Sequence, residues 1–225
     1  MHDVVIRGGA ILDGTGAAAF TGDLAIDGDR LAEIGGKAGP GKREIDANGL
    51  LVTPGWVDVH THYDGQATWD PVLAPSAWHG VTTILFGNCG VGFAPVRPEH
   101  RAGLIDLMEA IEDIPGTALA EGLKWDWESF PEYLDALDRL PRTIDIAAQI
   151  PHHPLRVYVM GDRGINREAA TADDVAEMRR LTEMALKAGA FGFTTSRTYS
   201  HKTNAGDSFP AISPRRPSFT ASAGQ

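Results

Sequence analysis

The chain has 225 residues, 43% of them hydrophobic and 22% charged, with a formal net charge of -10. That composition suits a soluble globular protein and is too apolar for a disordered one. No window approaches the ~18 consecutive apolar residues of a membrane helix, and Met1-His2-Asp3-Val4 lacks the basic and apolar regions of an export signal. The acidic balance argues against nucleic acid or an anionic membrane as the main partner. The single cysteine, Cys89, forbids an internal disulfide and points to a reducing, cytoplasmic compartment.

In chain order, the opening stretch reads as short strands: Val4 to Arg7, Ala10 to Asp13, Asp23 to Ile26, Arg30 to Ile34, Glu44 to Asp46 and Leu50 to Val52. Asp27-Gly28-Asp29 is a hairpin turn signal, and the whole reads as a small β meander. The texture changes at Pro54-Gly55, after which apolar runs alternate with helical segments. Trp56 to His60, Val81 to Phe86, Ile144 to Ile150 and Ala190 to Thr195 are strand candidates. Ala102 to Ile114, Trp127 to Leu140 (capped at Ser129) and Ala172 to Ala188 (closed by Gly189) are the helices between them, and Asp162-Arg163-Gly164 reads as a turn. Alternating strand and helix implies parallel strands with helical crossovers. From Ser208 to Gln225 there is no acidic residue and no sustained periodicity, so 208–225 is expected to be an aberrant or disordered tail.

Three clusters carry chemistry. His60-Thr61-His62 follows a strand, so both imidazoles can face one ion, with Asp58 as an outer carboxylate. Cys89 sits in Gly87-Asn88-Cys89-Gly90 just past the next strand; it reads as a buried thiol, a thiolate ligand or a lowered-pKa nucleophile. Loops after consecutive strands of a parallel barrel meet at one face, which favours the ligand. His152-His153 follows the third strand run, one expected in the site and one packed or solvated. Ser196, Arg197, Tyr199, His201 and Lys202 follow the fourth, where a cation can hold a substrate carboxylate.

These segments resemble the amidohydrolase superfamily, and within it the N-acyl-D-amino-acid deacylases. The resemblance is carried by Pro54-Gly55-Trp56-Val57-Asp58-Val59-His60-Thr61-His62-Tyr63-Asp64, by His79-Gly80-Val81-Thr82-Thr83 and Gly87-Asn88-Cys89-Gly90-Val91-Gly92, and by Pro151-His152, Leu155 to Gly161 and Gly189 to Phe193, ending at Thr195-Ser196-Arg197-Thr198. It implies an α/β fold, a (β/α)8 metallo-barrel of which this chain holds about the first four βα units (53–207), behind a β-sandwich segment (1–52). It also implies one or two zinc ions, or another divalent metal, with His60, His62 and Cys89 as ligands. Tyr199 falls near the substrate carbonyl, and Ser196, Arg197 and His152 beside the substrate. The implied reaction is metal-assisted hydrolysis of a small-molecule N-acyl-D-amino acid to a carboxylate and a free D-amino acid, with a later carboxylate moving the proton. A full barrel needs roughly 200–250 residues by itself, so the later histidines and the general-base aspartate are expected beyond Gln225, and this chain alone is expected to be inactive. The alternatives are a non-catalytic scaffold that binds a partner, and a cyclic-amide amidohydrolase. Relatives of the second kind carry a fourth-strand lysine, which Phe193-Thr194-Thr195 lacks. Substrate side chain, metal count and oligomeric state carry no sequence signal.

Overall fold

The first strand, β1 (His2–Ile11), runs through Gly8-Gly9 without ending. It pairs antiparallel with β2 (Phe20–Asp27), with a register irregularity between Ile6 and Gly9. β2 turns at Gly28 into β3 (Arg30–Ile34), also antiparallel. β4 (Gly41–Asp46) and β5 (Leu51–Val52) then pair with β1 in parallel, in the order β3-β2-β1-β4 with β5 beside β1. This corrects the meander expectation: β4 returns to lie along the first strand rather than beside its sequence neighbour. Arg7 is the clasp, donating to Asp23, to the Ala38 and Gly39 carbonyls and to Glu44. The computed structural model describes residues 1–196, and their contacts divide into one unit from Met1 to Gly55 and a second from Trp56 onward.

The second unit is built on parallel strands. β6 (Trp56–Asp58), α1 (Ala74–Ala77), β7 (Val81–Phe86), α2 (Arg101–Glu112), α3 (Gly116–Gly122), α4 (Phe130–Asp138), β8 (Asp145–Pro151), α5 (His152–Met160), α6 (Asp162–Ile165), α7 (Ala172–Ala188) and β9 (Gly192–Thr194) follow in chain order. Among the described residues the strands form one parallel sheet in the order β6-β7-β8-β9. The helices sit where local chemistry puts them. Ser129 and Glu132 form a reciprocal capping box at α4, and Thr171 and Asp174 do the same at α7. Gly189, with φ 115, closes α7. Asp113 turns left-handed at φ 54 and stops α2 at Glu112, two residues before the expected Ile114. α3 and α5 were not expected from the sequence, and Asp162-Arg163-Gly164 opens the short helix α6 rather than a turn.

Ile84, Phe86, Phe93, Met108, Ile150, Leu155 and Met178 are all under 2% exposed in one continuous core. Burying a side chain of this size contributes roughly 1.5–3 kcal/mol, so the sheet and its helices hold as one packed body and give the loops after the strands a rigid base. No helix among the described residues is long and apolar enough to cross a membrane.

Candidate metal centre

After Asp58 the chain leaves the sheet, and His60-Thr61-His62 forms the loop that follows β6. Asp58 Oδ1 accepts the His60 amide at 3.1 Å, so this carboxylate shapes the backbone that presents the imidazole. Thr61 is the anchor. It is 7% exposed, and its amide and Oγ1 both donate to the Leu85 carbonyl, at 3.1 and 2.9 Å. The two imidazoles flank it with ring centroids 5.5 Å apart.

Cys89 lies in the loop after β7, a single 3-10 turn over Asn88–Gly90. The glycine before it is required by space: Gly87 has φ +84, and a Cβ there would overlap the Gln149 carbonyl oxygen. Cys89 itself has φ 55, a left-handed conformation uncommon outside glycine and costly enough to need support. Asn88 supplies that support. Its Nδ2 donates to the Thr61 carbonyl at 3.2 Å and to the Leu85 carbonyl at 2.9 Å, while Oδ1 accepts from Gln149 Nε2 at 3.0 Å. One buried amide therefore ties the histidine loop, the cysteine loop and β8 together.

The result is a convergence. His60, His62 and Cys89 each offer a ligand atom, and these atoms all lie within 4.8 Å of one another. Cys89 Sγ is 3.4 Å from His60 Nε2. Two imidazoles and one thiol, spaced like this, fit zinc or another borderline-soft divalent ion. Burial pushes the Cys89 thiol up, and the nearby carboxylates of Glu112 and Asp64 push the same way. Burial beside two acidic groups is the reverse of the exposed, electropositive setting that activates a free nucleophilic cysteine.

Two carboxyls stand near the centre: Asp64, which ends the motif quoted from the sequence, and Glu112, which escaped the sequence reading. Glu112, the last residue of α2, places Oε1 3.2 Å from His62 Nε2. Its position four residues after buried Met108 puts an acid on the apolar stripe of the helix, and that was the available signal. Asp64 is 2% exposed, and burial raises its carboxyl to about 8 against hydrogen bonds from its own amide and that of Gly87. Tyr133 donates to the Asp64 carbonyl at 2.6 Å.

The remaining expected site residues divide. His152 and His153 open α5 and are both buried, at 4% and 0% exposure. His152 Nδ1 lies 2.9 Å from Thr195 Oγ1, and burial, with Arg156 adding to it, lowers its pKa to about 4. Ser196 is half-buried and its backbone passes close to Gly90. Arg197, Tyr199, His201 and Lys202, and the expected tail, lie outside the described residues.

Comparison with known proteins agrees with this geometry. Residues 43–215 match the model of the Amidohydrolase family. The D-aminoacylase of Alcaligenes xylosoxydans xylosoxydans is 34% identical over 198 residues, which is 88% of this chain and 38% of that protein. The N-acyl-D-aspartate deacylase of the same organism is 37% identical over 198 residues, 88% of this chain and 37% of that protein. A solved N-acyl-D-glutamate deacylase from Bordetella bronchiseptica, complexed with zinc and a phosphonate mimic of the tetrahedral intermediate, matches with a TM-score of 0.73 and 34% identity, over 92% of this chain and 40% of that one. The chain thus spans less than two-fifths of the length of these curated relatives. With its fold and most of its length in agreement, the chain belongs to the Amidohydrolase family.

Proposed function

We propose that this chain carries the histidine–cysteine metal centre of a hydrolase that cleaves the amide bond of N-acyl-D-amino acids. The observation that carries the reading is the meeting of His60, His62 and Cys89 from the loops after two neighbouring parallel strands. Relatives at 34–37% identity are named D-aminoacylase and N-acyl-D-aspartate deacylase, and a solved N-acyl-D-glutamate deacylase at 34% identity holds zinc. A divalent ion held here acts as a Lewis acid and lowers the pKa of water at the site toward neutrality. His60 and His62 supply neutral nitrogen donors, and Cys89 supplies the thiolate that offsets part of the cation's charge. Arg197 and Ser196 hold the substrate carboxylate, Tyr199 faces the scissile carbonyl, and His152, neutral and buried, braces the Thr195-Ser196 segment.

We also read the four parallel strands as part of a (β/α)8 barrel, and the first unit as part of a β-sandwich. Trp56 and Val57, on the outer strand β6, are each 61% exposed, which supports further strands closing that edge in a longer protein. In this reading the proton-moving carboxylate lies outside the 225 residues, and the chain alone binds the ion without turnover. Its composition supports a cytoplasmic location.

The test is zinc content and hydrolysis measured together. After dialysis, the chain should retain zinc, and Cys89→Ser and His60→Ala should lose it. N-acetyl-D-amino acids should stay intact with the chain alone and be cleaved by a longer protein that contains it. A chain that takes up no zinc would sink the metal reading. Cleavage of L- but not D-substrates by the longer protein would sink the substrate class.

A further inference from the structure

We propose that Gln149, on β8, is a positioning residue of the metal centre and acts on Cys89 through Asn88. The inference rests on the metal-binding half of the reading above. Its first support is hydrogen-bond polarity. Asn88 Nδ2 donates to the Thr61 and Leu85 carbonyls, so its Oδ1 is turned toward β8, where Gln149 Nε2 donates to it at 3.0 Å. Among the described residues no other group donates to that oxygen. With Gln149 in place, only one orientation of the Asn88 amide satisfies every partner. Turned over, its oxygen would face two carbonyls and its NH2 would face another NH2. Asn88 directly precedes Cys89, whose φ of 55 is the strained step of this turn. The residue that fixes the Asn88 amide therefore fixes where the turn begins, and with it the approach of the thiol to His60 Nε2, 3.4 Å away.

Its second support is the slot that holds Gln149 itself. Ala148 and Ile150 are buried in the core, so Gln149 projects from the opposite face of the sheet. Both neighbouring strands make room for it with glycine. Gly192, its register partner on β9, leaves open the position where a Cβ would stand 3.2 Å from Gln149 Oε1. Gly87, just past β7, lies so close to the Gln149 backbone that a Cβ would overlap its carbonyl oxygen. One end of the carboxamide thus rests over Gly192 and the other meets Asn88, which sets its direction. Thr194, on β9, also donates to the Gly87 carbonyl, so the cysteine turn is held from two strands beyond its own. An apolar side chain would fill the same slot; what Gln149 adds is a donor at the one place where Asn88 needs it.

The test is cobalt(II) binding by the full 225-residue chain, read by competition with a chelator and by the thiolate-to-cobalt charge-transfer band. Gln149→Met keeps the length of the side chain and removes the donor. It should weaken cobalt binding about tenfold and move the charge-transfer band, which reports the geometry of the thiolate and which a loss of fold stability alone leaves in place. In an Asn88→Ala background the same substitution should change affinity by less than about twofold, because the residue through which Gln149 acts is gone. A charge-transfer band at its wild-type position in Gln149→Met overturns the proposal and leaves the His60, His62 and Cys89 centre intact. An equal loss of affinity with and without Asn88 overturns it too. Should Gln149→Met fail to fold, Gln149→Asn, which withdraws the amide by one methylene, carries the same comparison with the same two overturning results. A wild-type chain that binds no cobalt overturns both readings.

Discussion

Replacing Asn88 with aspartate tests how the histidine and cysteine loops are tied together. The two residues have nearly the same shape, so packing is preserved while hydrogen-bond polarity changes. Asn88 is 7% exposed, and its Nδ2 donates to the Thr61 and Leu85 carbonyls at 3.2 and 2.9 Å. An aspartate at neutral pH would face both carbonyl oxygens with a charge and no donor. The folded state avoids this by keeping the carboxyl protonated, which restores one of the two bonds. Holding a carboxyl of ordinary pKa ~3.9 protonated at pH 7 costs about 4 kcal/mol, and the bond not restored adds about 1 kcal/mol. Asn88→Asp should therefore lose about 5 kcal/mol at pH 7. The sign of its pH dependence follows. The folded state holds a proton that the unfolded state releases above ~3.9, so the deficit shrinks by about 1.4 kcal/mol for each pH unit downward and is about 1 kcal/mol near pH 4. Urea unfolding of variant and wild type at matched pH from 4.5 to 7.5 measures the difference. A deficit under about 1 kcal/mol at pH 7, or one that does not move with pH, would refute the claim that Asn88 is a buried two-way donor joining the loops.

Three further outcomes follow from the same coordinates. Gly87→Ala combines a left-handed backbone with a Cβ that meets the Gln149 carbonyl; it should cost more than about 3 kcal/mol, and a melting temperature equal to wild type would show that the loop relaxes freely. The depressed pKa of His152, about 4 in the fold, means the unfolded state takes up its proton first. Stability from this group is therefore complete above about pH 6.5 and falls by about 3 kcal/mol as pH drops to about 4; His152→Gln should flatten that part of the profile in urea titrations, and a profile as steep as wild type contradicts it. Ser129→Ala removes one half of the α4 capping box and should lower stability by about 1 kcal/mol, a shift of about 2–4 °C in calorimetry.

What the sequence alone determined is what local chemistry controls. The period-two placement of His60 and His62 and the glycine-bounded turn around Cys89 depend on residues a few positions apart. So do the helix cap at Ser129 and the arrest of α7 at Gly189. All of these were readable in order along the chain, and the resemblance they carried led to the family. Other features were decided only when distant segments met. β4 lies along β1 because Val4 to Arg7 pair with Arg43 to Asp46, which no hairpin signal marks. His152 and His153 are both buried because α5 begins directly at the end of β8 and lies against the core. Asn88 is a tie between loops only because Thr61 and Gln149 arrive beside it. Glu112 reaches His62 because α2 packs its Leu104 and Met108 face inward, carrying its last residue to the ends of the strands. Periodicity states which face of a helix is buried; the partner that the carboxylate at the end of that face meets is set by tertiary packing alone, because burial, charge and contact there belong to residues far apart in the chain.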